Sequence, residues 1–535
     1  METDISDRRS HVTTMDTDST DPQTLIQFLT ILLEGIGAVN FHRKNKPWKN
    51  TLQEVYCYCQ HLIIVVGFLL MHIINTSSRS VRYLPEFIQC LYEDVAAITV
   101  YLHIFLLKKK YKQLADLIGT MADSFSNADP VIVLKYERRM RTIFRTCFCG
   151  LSILLSVMVV EAFFPLPETE LVIRRKVYRT NSDRKLPCNV KIPFVDETEY
   201  WTYRGLFALQ AYTLFLYIFI AAVSFTSLPI LTTKLVGQYT ILCQYIDKLG
   251  AQHFDSQGRE IFYTDLETNK YAYVYLRTIG ETRPKVLYNR WVGHMQCQKA
   301  GDSKQDDMNL TKREEAIDVE SLGHLKSRRA LFSKLKSHRI GSSETSDRAN
   351  TEEACDLESV GQSKAHRPFS KLNNQYQKDY LKQIIKFHQK LLIVQRKLSN
   401  FFEPIAFIQT SANFVAIALC SYQLLFSLQI LSALRVSKFI FEILVHCGQC
   451  YYWCHCSDLL DDCNIAICRS IRNSEWINCD VGTRKDILML LRMAQRPNFL
   501  RFSQGVILLR RDHFLKIVKI AYTFLNSMRT FNDKK

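Results

Sequence analysis

Residues 205–231 read GLFALQAYTLFLYIFIAAVSFTSLPIL, a run that contains no charged side chain. About 20 consecutive apolar residues in an α-helix span the hydrocarbon core of a bilayer. The run is therefore long and apolar enough to be a transmembrane helix. Similar runs occur before and after it, so the sequence predicts a helical protein that crosses a lipid bilayer several times.

The number of predicted spans follows from the other apolar runs. In chain order, the clear spans are 55–75, 87–107, 143–164, 205–231, 405–428 and 438–456. A seventh run, 514–531, is interrupted by basic residues, and a shorter one, 25–41, carries Glu34. We interpret the shorter run as an interfacial amphipathic helix. The fold class we expect is an all-α membrane protein with seven transmembrane helices.

A long polar segment separates the fourth span from the fifth. Between Gly293 and Pro368 the only aromatic residue is Phe332, and charged residues and serines are abundant. Such a composition buries too little apolar surface to offset the entropy lost on ordering. We therefore expect a disordered insert at about 275–375 within a loop that covers 232–402.

The distribution of lysine and arginine predicts the orientation, since cytoplasmic loops of membrane proteins carry an excess of both. They cluster before the first span and after the second, fourth and sixth, although the loop at 165–204 is also basic. On balance, residues 1–54 and the loop at 232–402 are predicted to be cytoplasmic, and the tail at 532–535 extracellular. The acidic start METDISD predicts no cleaved signal peptide.

The net charge and the topology exclude other classes of protein. The formal net charge of +17 suggests an anionic partner, and the spans make that partner a membrane face rather than nucleic acid. Rhodopsin-like receptors have the opposite membrane orientation, with an extracellular N-terminus. The third span also lacks their Asp-Arg-Tyr triplet and the last span their Asn-Pro-x-x-Tyr turn. A G-protein-coupled receptor is therefore disfavoured.

Residues 446–456, HCGQCYYWCHC, have the cysteine and histidine density of a zinc site. On a helix, Cys447, Cys450 and Cys454 share one face, whereas His455 and Cys456 point elsewhere. Cysteine is also among the most readily buried side chains, and other spans contain CYC and CFC. We interpret the stretch as membrane helix and expect neither a metal nor a cofactor.

The last span carries a polar stripe. Lys516, Lys519, Thr523, Asn526 and Thr530 follow a 3-4-3-4 spacing, which places them on one helix face. Because a polar stripe is costly in lipid, it should face protein or water. Two interpretations remain open: a water-filled conduction path, or a polar seam packed against neighbouring helices.

The closing segment, SQGVILLRRDHFLKIVKIAYTFLNSMR, resembles the last helix of insect odorant receptors. The matching positions are Gly505, Phe514, Lys519, Tyr522, Thr523, Phe524 and Arg529. Upstream, the resemblance runs through residues 484–497, through 388–409, and through Cys447, Gly448, Ser457, Leu460, Ala466 and Trp476. The related gustatory receptors end in a Gln-Phe pair that this chain lacks, so the olfactory branch is preferred.

The resemblance implies a seven-span subunit of an odorant-gated, non-selective cation channel in the plasma membrane of olfactory neuron dendrites. It implies a heterotetramer with a shared co-receptor subunit and a pore lined by the seventh helices. The pore-lining positions would be Thr523, Asn526, Ser527 and Thr530. Ser527 departs from the apolar gate residue of the co-receptor.

The resemblance also implies a small volatile ligand, bound in the outer half of the helix bundle. Aromatic and apolar side chains at that depth are the candidates, although each of them also suits ordinary helix packing. They are Tyr92, Leu155, Val159, Phe163, Tyr212, Phe215, Cys420 and Tyr422. Three carboxylates at membrane depth, Glu93, Asp94 and Glu161, are expected to be paired or functional.

Alternative functions predict other features. A co-receptor or gustatory-type subunit would have different closing-helix residues. A secondary transporter would show internal repeats with broken helices at matching depths, and no such repeat is visible. A membrane enzyme would need paired carboxylates, histidine clusters or a nucleophile on facing helices. The only dense cluster of such residues, 446–456, is interpreted above as membrane helix. We therefore predict that the chain is not an enzyme.

Overall fold

A computed structural model describes residues 25–40, 47–123, 128–164, 168–177, 186–192, 195, 199–255, 257–273, 367–427, 433–502 and 507–532. The chain divides into two units, Met1–Tyr288 with Leu372–Lys535, and Asn289–Lys371. Of the second unit, the described residues are 367–371, which begin a helix. The insert expected at 275–375 lies outside the described residues except for 367–375, which are helical.

The described part of the chain is almost entirely helical. The helices before the long loop are α1 Leu25–Gly35, α2 Pro47–Ile64, α3 Met71–Ser78, α4 Leu84–Lys109, α5 Tyr111–Asp123, α6 Pro130–Glu161, α7 Glu168–Val177 and α8 Tyr200–Asp247. Those after it are α9 Arg367–Ser427, α10 Ala433–Asn473, α11 Val481–Ala494 and α12 Arg511–Asn532. A π-helical segment, Val65–Leu70, joins α2 to α3, and 3-10 turns lie at Ser80–Arg82 and Trp476–Asn478.

Five helical stretches of the described residues are long and apolar enough to cross a membrane. They are Pro47–Arg82, Leu84–Lys109, Pro130–Val160, Tyr200–Asp247 and Asn373–Leu425. They contain the predicted spans 55–75, 87–107 and 205–231 completely, and the predicted spans 143–164 and 405–428 except for their last few residues. The sixth and seventh predicted spans lie in α10 and α12, where polar and charged side chains lower the apolarity.

Side-chain caps are found at the N-termini of two helices, α6 and α11. The Asp129 carboxylate accepts hydrogen bonds from the backbone N–H groups of Val131 and Ile132, at 2.9 and 3.2 Å, and Pro130 occupies the first turn of α6. Asp480 caps α11 in the same way, through Gly482. Such caps satisfy donors that have no partner within the helix.

Helix α8 lies at the centre of the largest core cluster. It packs against α6 and α10, and side chains such as Tyr239 and Leu242 are fully buried. From α9, Phe387 and Phe402 enter the same core. Helix α1 adds its apolar face to this cluster, as expected for an amphipathic helix.

Two short antiparallel hairpins are the strands that the structure describes. β1 (Ile261–Asp265) pairs with β2 (Lys270–Tyr273), and β3 (Arg501–Phe502) pairs with β4 (Ile507–Leu508). Neither hairpin was predicted from the sequence. Both lie in the connections between predicted spans, so the all-α class of the bundle is unchanged.

An aromatic cluster joins the first hairpin to α9. The buried His253 lies between the Tyr376 hydroxyl, 2.6 Å from its Nδ1, and the Lys248 carbonyl, 2.8 Å from its Nε2. The backbone N–H of Tyr263 also donates to the Tyr376 hydroxyl, at 3.1 Å. Because a carbonyl only accepts, Nε2 carries the proton and Nδ1 accepts one from Tyr376.

This arrangement predicts an acid-sensitive contribution to stability. Burial lowers the pKa of His253 from its usual 6.5, and the Lys248 ammonium lowers it further, although the hydrogen bond to the Lys248 carbonyl opposes both. A lowered pKa in the fold means that the unfolded chain takes up the proton first as the pH falls through about 6.5, so stability is lost below that pH. The melting temperature of wild type should fall more between about pH 7.5 and 5.5 than that of His253→Asn. Equal losses in the two proteins would contradict this assignment.

A candidate ligand cavity

A cavity lies among the helices that contain the first six predicted spans. The space between its lining atoms, together with the solvent at its open side, is about 890 Å³. Lining side chains come from the π-helical segment and from α4, α6, α8, α9 and α10, together with Cys188 of the segment before α8. The cavity is therefore assembled from distant parts of the chain rather than from one motif.

Most of the cavity wall is apolar and aromatic. Phe68, from the π-helical segment, and Leu155, from α6, face Tyr217 and Phe225 of α8. π-Helical turns are rare and are often found at functional sites, because the extra residue re-aims the side chains of one turn. Here the turn contributes Phe68 to the wall. Such a wall suits a small ligand with an apolar body.

A chain of hydrogen bonds forms one polar side of the cavity. The Nε2 atom of His446 lies 3.2 Å from the Tyr92 hydroxyl, and its Nδ1 atom lies 3.0 Å from Asn413 Oδ1. Because an amide oxygen only accepts, the neutral ring donates from Nδ1 and accepts the Tyr92 hydroxyl proton at Nε2. Gln409 donates to Asn413 and to Gln449, at 3.0 and 3.1 Å. These hydrogen bonds thus link α4, α9 and α10.

A cluster of buried ionisable groups adjoins this hydrogen-bond chain. His72 bridges Asp94, at 2.7 Å from Nδ1, and Glu93, at 3.0 Å from Nε2. Lys438 of α10 donates to Glu93 at 2.8 Å and lies 3.9 Å from Glu442. Buried charges are tolerated only when they are paired and hydrogen-bonded. The expectation that Glu93 and Asp94 are paired or functional is met by this pairing.

The structure places the eight predicted ligand residues in four different environments. Tyr92 and Leu155 line the cavity. Val159 packs beside Leu155, and Cys420 packs beside Tyr92, without lining the cavity. Tyr422 packs against Ile88 of α4 and Leu525 of α12.

The other three predicted residues lie on the outside of the chain. Phe163, Tyr212 and Phe215 are 73%, 40% and 56% exposed, and none of them lines the cavity. Phe163 contacts Phe207 edge-on, and the Tyr212 hydroxyl donates to Gln60 at 2.9 Å. Because these three residues do not line the cavity, the structure gives no support to their predicted role in ligand binding.

The predicted pore residues all lie on the exposed face of α12. Thr523, Asn526, Ser527 and Thr530 are exposed, and the three hydroxyls donate to backbone carbonyls of their own helix at 2.9–3.0 Å. The opposite face packs against the bundle, for example through Ile517. The stripe is therefore not a seam packed against helices of its own chain.

The residues at the polar side of the cavity and next to it were not predicted from the sequence. Lys438, Glu442 and His446 are spaced four residues apart in the sixth predicted span, so they share one helix face. Charged groups within a span are themselves a signal of a buried partner. In the same span, the cysteines at 447, 450 and 454 were considered as metal ligands, but these charged residues were not considered.

The structure explains the cysteine-rich stretch and one of the two glycosylation sequons of the sequence, Asn75-Thr76-Ser77 and Asn309-Leu310-Thr311. Cys450 and Cys454 are buried in helix packing. Across the described ranges, no group of three or more potential ligands is arranged to hold a metal. Asn75, in an Asn-Thr-Ser sequon, is fully buried and donates to Ser80 Oγ at 3.4 Å, so it cannot accept a glycan in this fold.

Comparisons with known proteins agree with the geometry. The sequence model described as "7tm Odorant receptor" matches residues 338–522. The fold matches the olfactory receptor OR5 of Machilis hrabei with a TM-score of 0.57 and 12% identity, over 94% of this chain and 97% of that one. The sequence match covers 185 of the 535 residues, so it shows that the C-terminal part of the chain is similar to odorant receptors. The resemblance predicted from the closing helix is thereby confirmed, and so is the predicted fold class.

A second structure of the same receptor and one curated sequence relative are also similar to this chain. The structure of OR5 in complex with eugenol matches with a TM-score of 0.58 and 12% identity, over 95% of this chain and 98% of that one. Odorant receptor Or2 of Anopheles gambiae is 21% identical over 149 residues. That match covers 28% of this chain and 38% of the length of Or2.

Proposed function

We propose that the chain is the tuning subunit of a heteromeric, odorant-gated, non-selective cation channel, with a small volatile odorant bound in the cavity. The cavity is the observation that carries the proposal, because its wall is apolar and aromatic with few polar groups. Sites for small molecules are typically of this kind. One structurally similar receptor, OR5 of Machilis hrabei, was solved in complex with eugenol.

Helix α9 offers a physical connection between the cavity and α12. Ala416 lines the cavity, and the adjacent Ile417 packs against Ile517 and Ala521 of α12. A ligand shifts a conformational equilibrium only by binding one state better than another. A ligand that favours one position of α9 therefore biases the packing of α12, which we infer to be the gating step.

The exposed polar face of α12 fits the role of a pore wall. Its hydroxyls are satisfied by their own helix, so the face needs no partner within the subunit. In a heterotetramer with the co-receptor subunit, four such helices would surround one water-filled path. Polar hydroxyl and amide groups would then replace part of the hydration shell of a passing cation.

Co-expression electrophysiology tests this proposal. The chain should give odorant-evoked, cation-selective currents when it is expressed in a cell line together with the co-receptor subunit, and no evoked current when it is expressed alone. Evoked currents from the chain alone would favour a co-receptor or homomeric function. An absence of currents across a broad odorant panel, with both subunits at the cell surface, would contradict the channel proposal.

Glycosylation mapping tests the proposed orientation in the plasma membrane. With a cytoplasmic N-terminus, the sequon at Asn309 lies in the cytoplasm, so glycosidase treatment should not change the mobility of wild type. The matched variant is Asp183→Thr, which creates a sequon at Asn181 in the loop predicted to be extracellular. That variant should acquire a glycan. A glycan on Asn309 and none on Asn181 would invert the orientation.

A further inference from the structure

We infer that the cavity prefers small ligands that donate a hydrogen bond, alcohols and phenols, over ligands of matching carbon skeleton that only accept one, ketones and ethers. The inference rests on the proposed role of the cavity as the ligand site. It deepens that proposal by naming the chemical class of ligand and the residue, His446, that determines the preference.

The hydroxyl groups at the cavity wall have already donated their protons. Among the described lining residues, the hydroxyl groups are those of Tyr92, Thr99 and Tyr217. Tyr217 and Thr99 donate to backbone carbonyls of α4, at 2.9 and 2.7 Å, and Tyr92 donates to His446 Nε2 at 3.2 Å. Because a hydroxyl group carries one proton, these three cannot donate to a ligand as well.

The nitrogen donors at the wall are in use too. The Gln409 amide has two protons and donates to both Asn413 and Gln449, at 3.0 and 3.1 Å. The neutral His446 ring has one N–H, which donates to Asn413 at 3.0 Å. Within the described ranges, the wall contains no lysine, arginine or tryptophan. The remaining side-chain donor there is the Cys188 thiol, which is a weak one.

Hydrogen-bond acceptors, in contrast, remain at the wall. The hydroxyl oxygens of Tyr92 and Thr99 keep lone pairs after donating their protons. Glu93 and Glu442 lie beside the Lys438 ammonium, at 2.8 and 3.9 Å, so as charged carboxylates they are acceptors rather than donors. A ligand that carries its own O–H group can therefore donate to the wall, and the inference requires no unpaired carboxylate.

Burial makes this difference important for affinity. A ketone or ether oxygen loses its hydrogen bonds to water when it enters the cavity, and the weak thiol is the one donor of the described wall that could replace them. An alcohol also gives up water, but it regains a hydrogen bond through its own proton. We therefore expect the alcohol to bind about tenfold more tightly than its matched ketone or ether.

His446 sets the preference through Tyr92. Its Nδ1–H is held by Asn413, so Nε2 is left as an acceptor and takes up the Tyr92 proton. Replacing His446 by leucine removes this acceptor and frees the Tyr92 proton for a ligand oxygen. His446 is thus a positioning residue that determines specificity without having to contact the ligand.

Ligand binding to the purified full-length protein tests the inference without any channel activity. The probes are 2-indanol with 2-indanone, and 4-ethylphenol with its methyl ether. Each pair differs in its ability to donate a hydrogen bond. Binding is measured by ligand-induced stabilisation against heat over a series of concentrations, which reports the dissociation constant. Wild type should bind the hydroxyl compound of each pair about tenfold more tightly.

Variants test whether His446 sets the preference. His446→Leu should strengthen binding of the ketone relative to the alcohol by about tenfold or more. The double variant His446→Leu/Tyr92→Phe should lose this gain, because the freed hydroxyl proton is then absent. The matched control is His388→Leu, since His388 is also buried but is not among the described lining residues. It should keep the preference of wild type.

Several outcomes would overturn the inference. They are equal binding within both pairs by wild type, an unchanged preference in His446→Leu, a gain for the ketone that persists in the double variant, and no binding of any probe. Should His446→Leu fail to fold, the two pairs in wild type still decide. The proposed function is judged separately by the odorant-evoked currents. Preferential binding of the hydroxyl compounds without evoked currents would support the inference and contradict the channel proposal.

Discussion

The Lys438→Met variant is expected to lose about 3–5 kcal/mol of stability, because it leaves the largely buried Glu93 carboxylate, which is 12% exposed, without its cation. The Lys438 side chain is 5% exposed and donates to Glu93 at 2.8 Å. Glu93 keeps His72 as a partner, but Asp94 shares that imidazole. The melting temperature in detergent and the amount of protein at the cell surface should both fall strongly.

Two further variants show whether the loss comes from the buried charge. Lys382→Met breaks an exposed pair with Asp379, at 3.1 Å, in which the two side chains are 63% and 51% exposed. Exposed pairs contribute about 1 kcal/mol or less, so this variant should melt close to wild type. The double variant Lys438→Met/Glu93→Gln should regain much of the lost stability. Similar melting temperatures for Lys438→Met and Lys382→Met would contradict the described packing.

A second large effect is expected at the end of α8. Gly250 has a φ of +83°, and an added Cβ would overlap the backbone carbonyl of Glu475. The turn is also fixed from α9, since the Gly250 N–H donates to Gln377 at 3.1 Å. Because the neighbouring atom is backbone, it cannot rotate away. Gly250→Ala should therefore cost about 3 kcal/mol or more.

Gly258→Ala is the matched control for the clash. Gly258 has a similar φ of +73°, but an added Cβ would meet no atom within 4 Å. This variant should show only the cost of the left-handed conformation, about 1–2 kcal/mol. The difference between the two melting temperatures measures the overlap with Glu475. Equal losses would show that α8 and the loop after α10 are not in contact at this point.

The sequence predicted the helices better than it predicted the inward-facing side chains. Five of the seven predicted spans lie in long apolar helices, because about 20 apolar residues in succession have few other stable arrangements. In α8, however, apolar residues surround the helix, so periodicity does not separate its inner face from its outer face. Tyr212 and Phe215 were predicted from their depth alone, and both lie on the outer face, whereas Tyr217 faces the cavity.

The polar side of the cavity depends on how the helices are arranged in space. Glu93 was identified because a carboxylate within a span requires a partner. Its cation, Lys438, is 345 residues away in the sequence and reaches it only when α4 and α10 pack together. The two hairpins were missed because their strands are short and lie in segments without clear alternation of polar and apolar residues.

The central claim is that ligand binding in this cavity opens the channel, and one pair of variants tests it most directly. Ala412 lines the cavity, whereas the adjacent Ser411 of the same helix is exposed. Each is replaced by phenylalanine, and odorant concentration–response curves are recorded with the co-receptor subunit at matched surface expression. Ala412→Phe should reduce odorant sensitivity by about tenfold or more, since filling the site removes ligand contacts, and Ser411→Phe should respond like wild type. Unchanged sensitivity in Ala412→Phe would place the ligand elsewhere and contradict the claim.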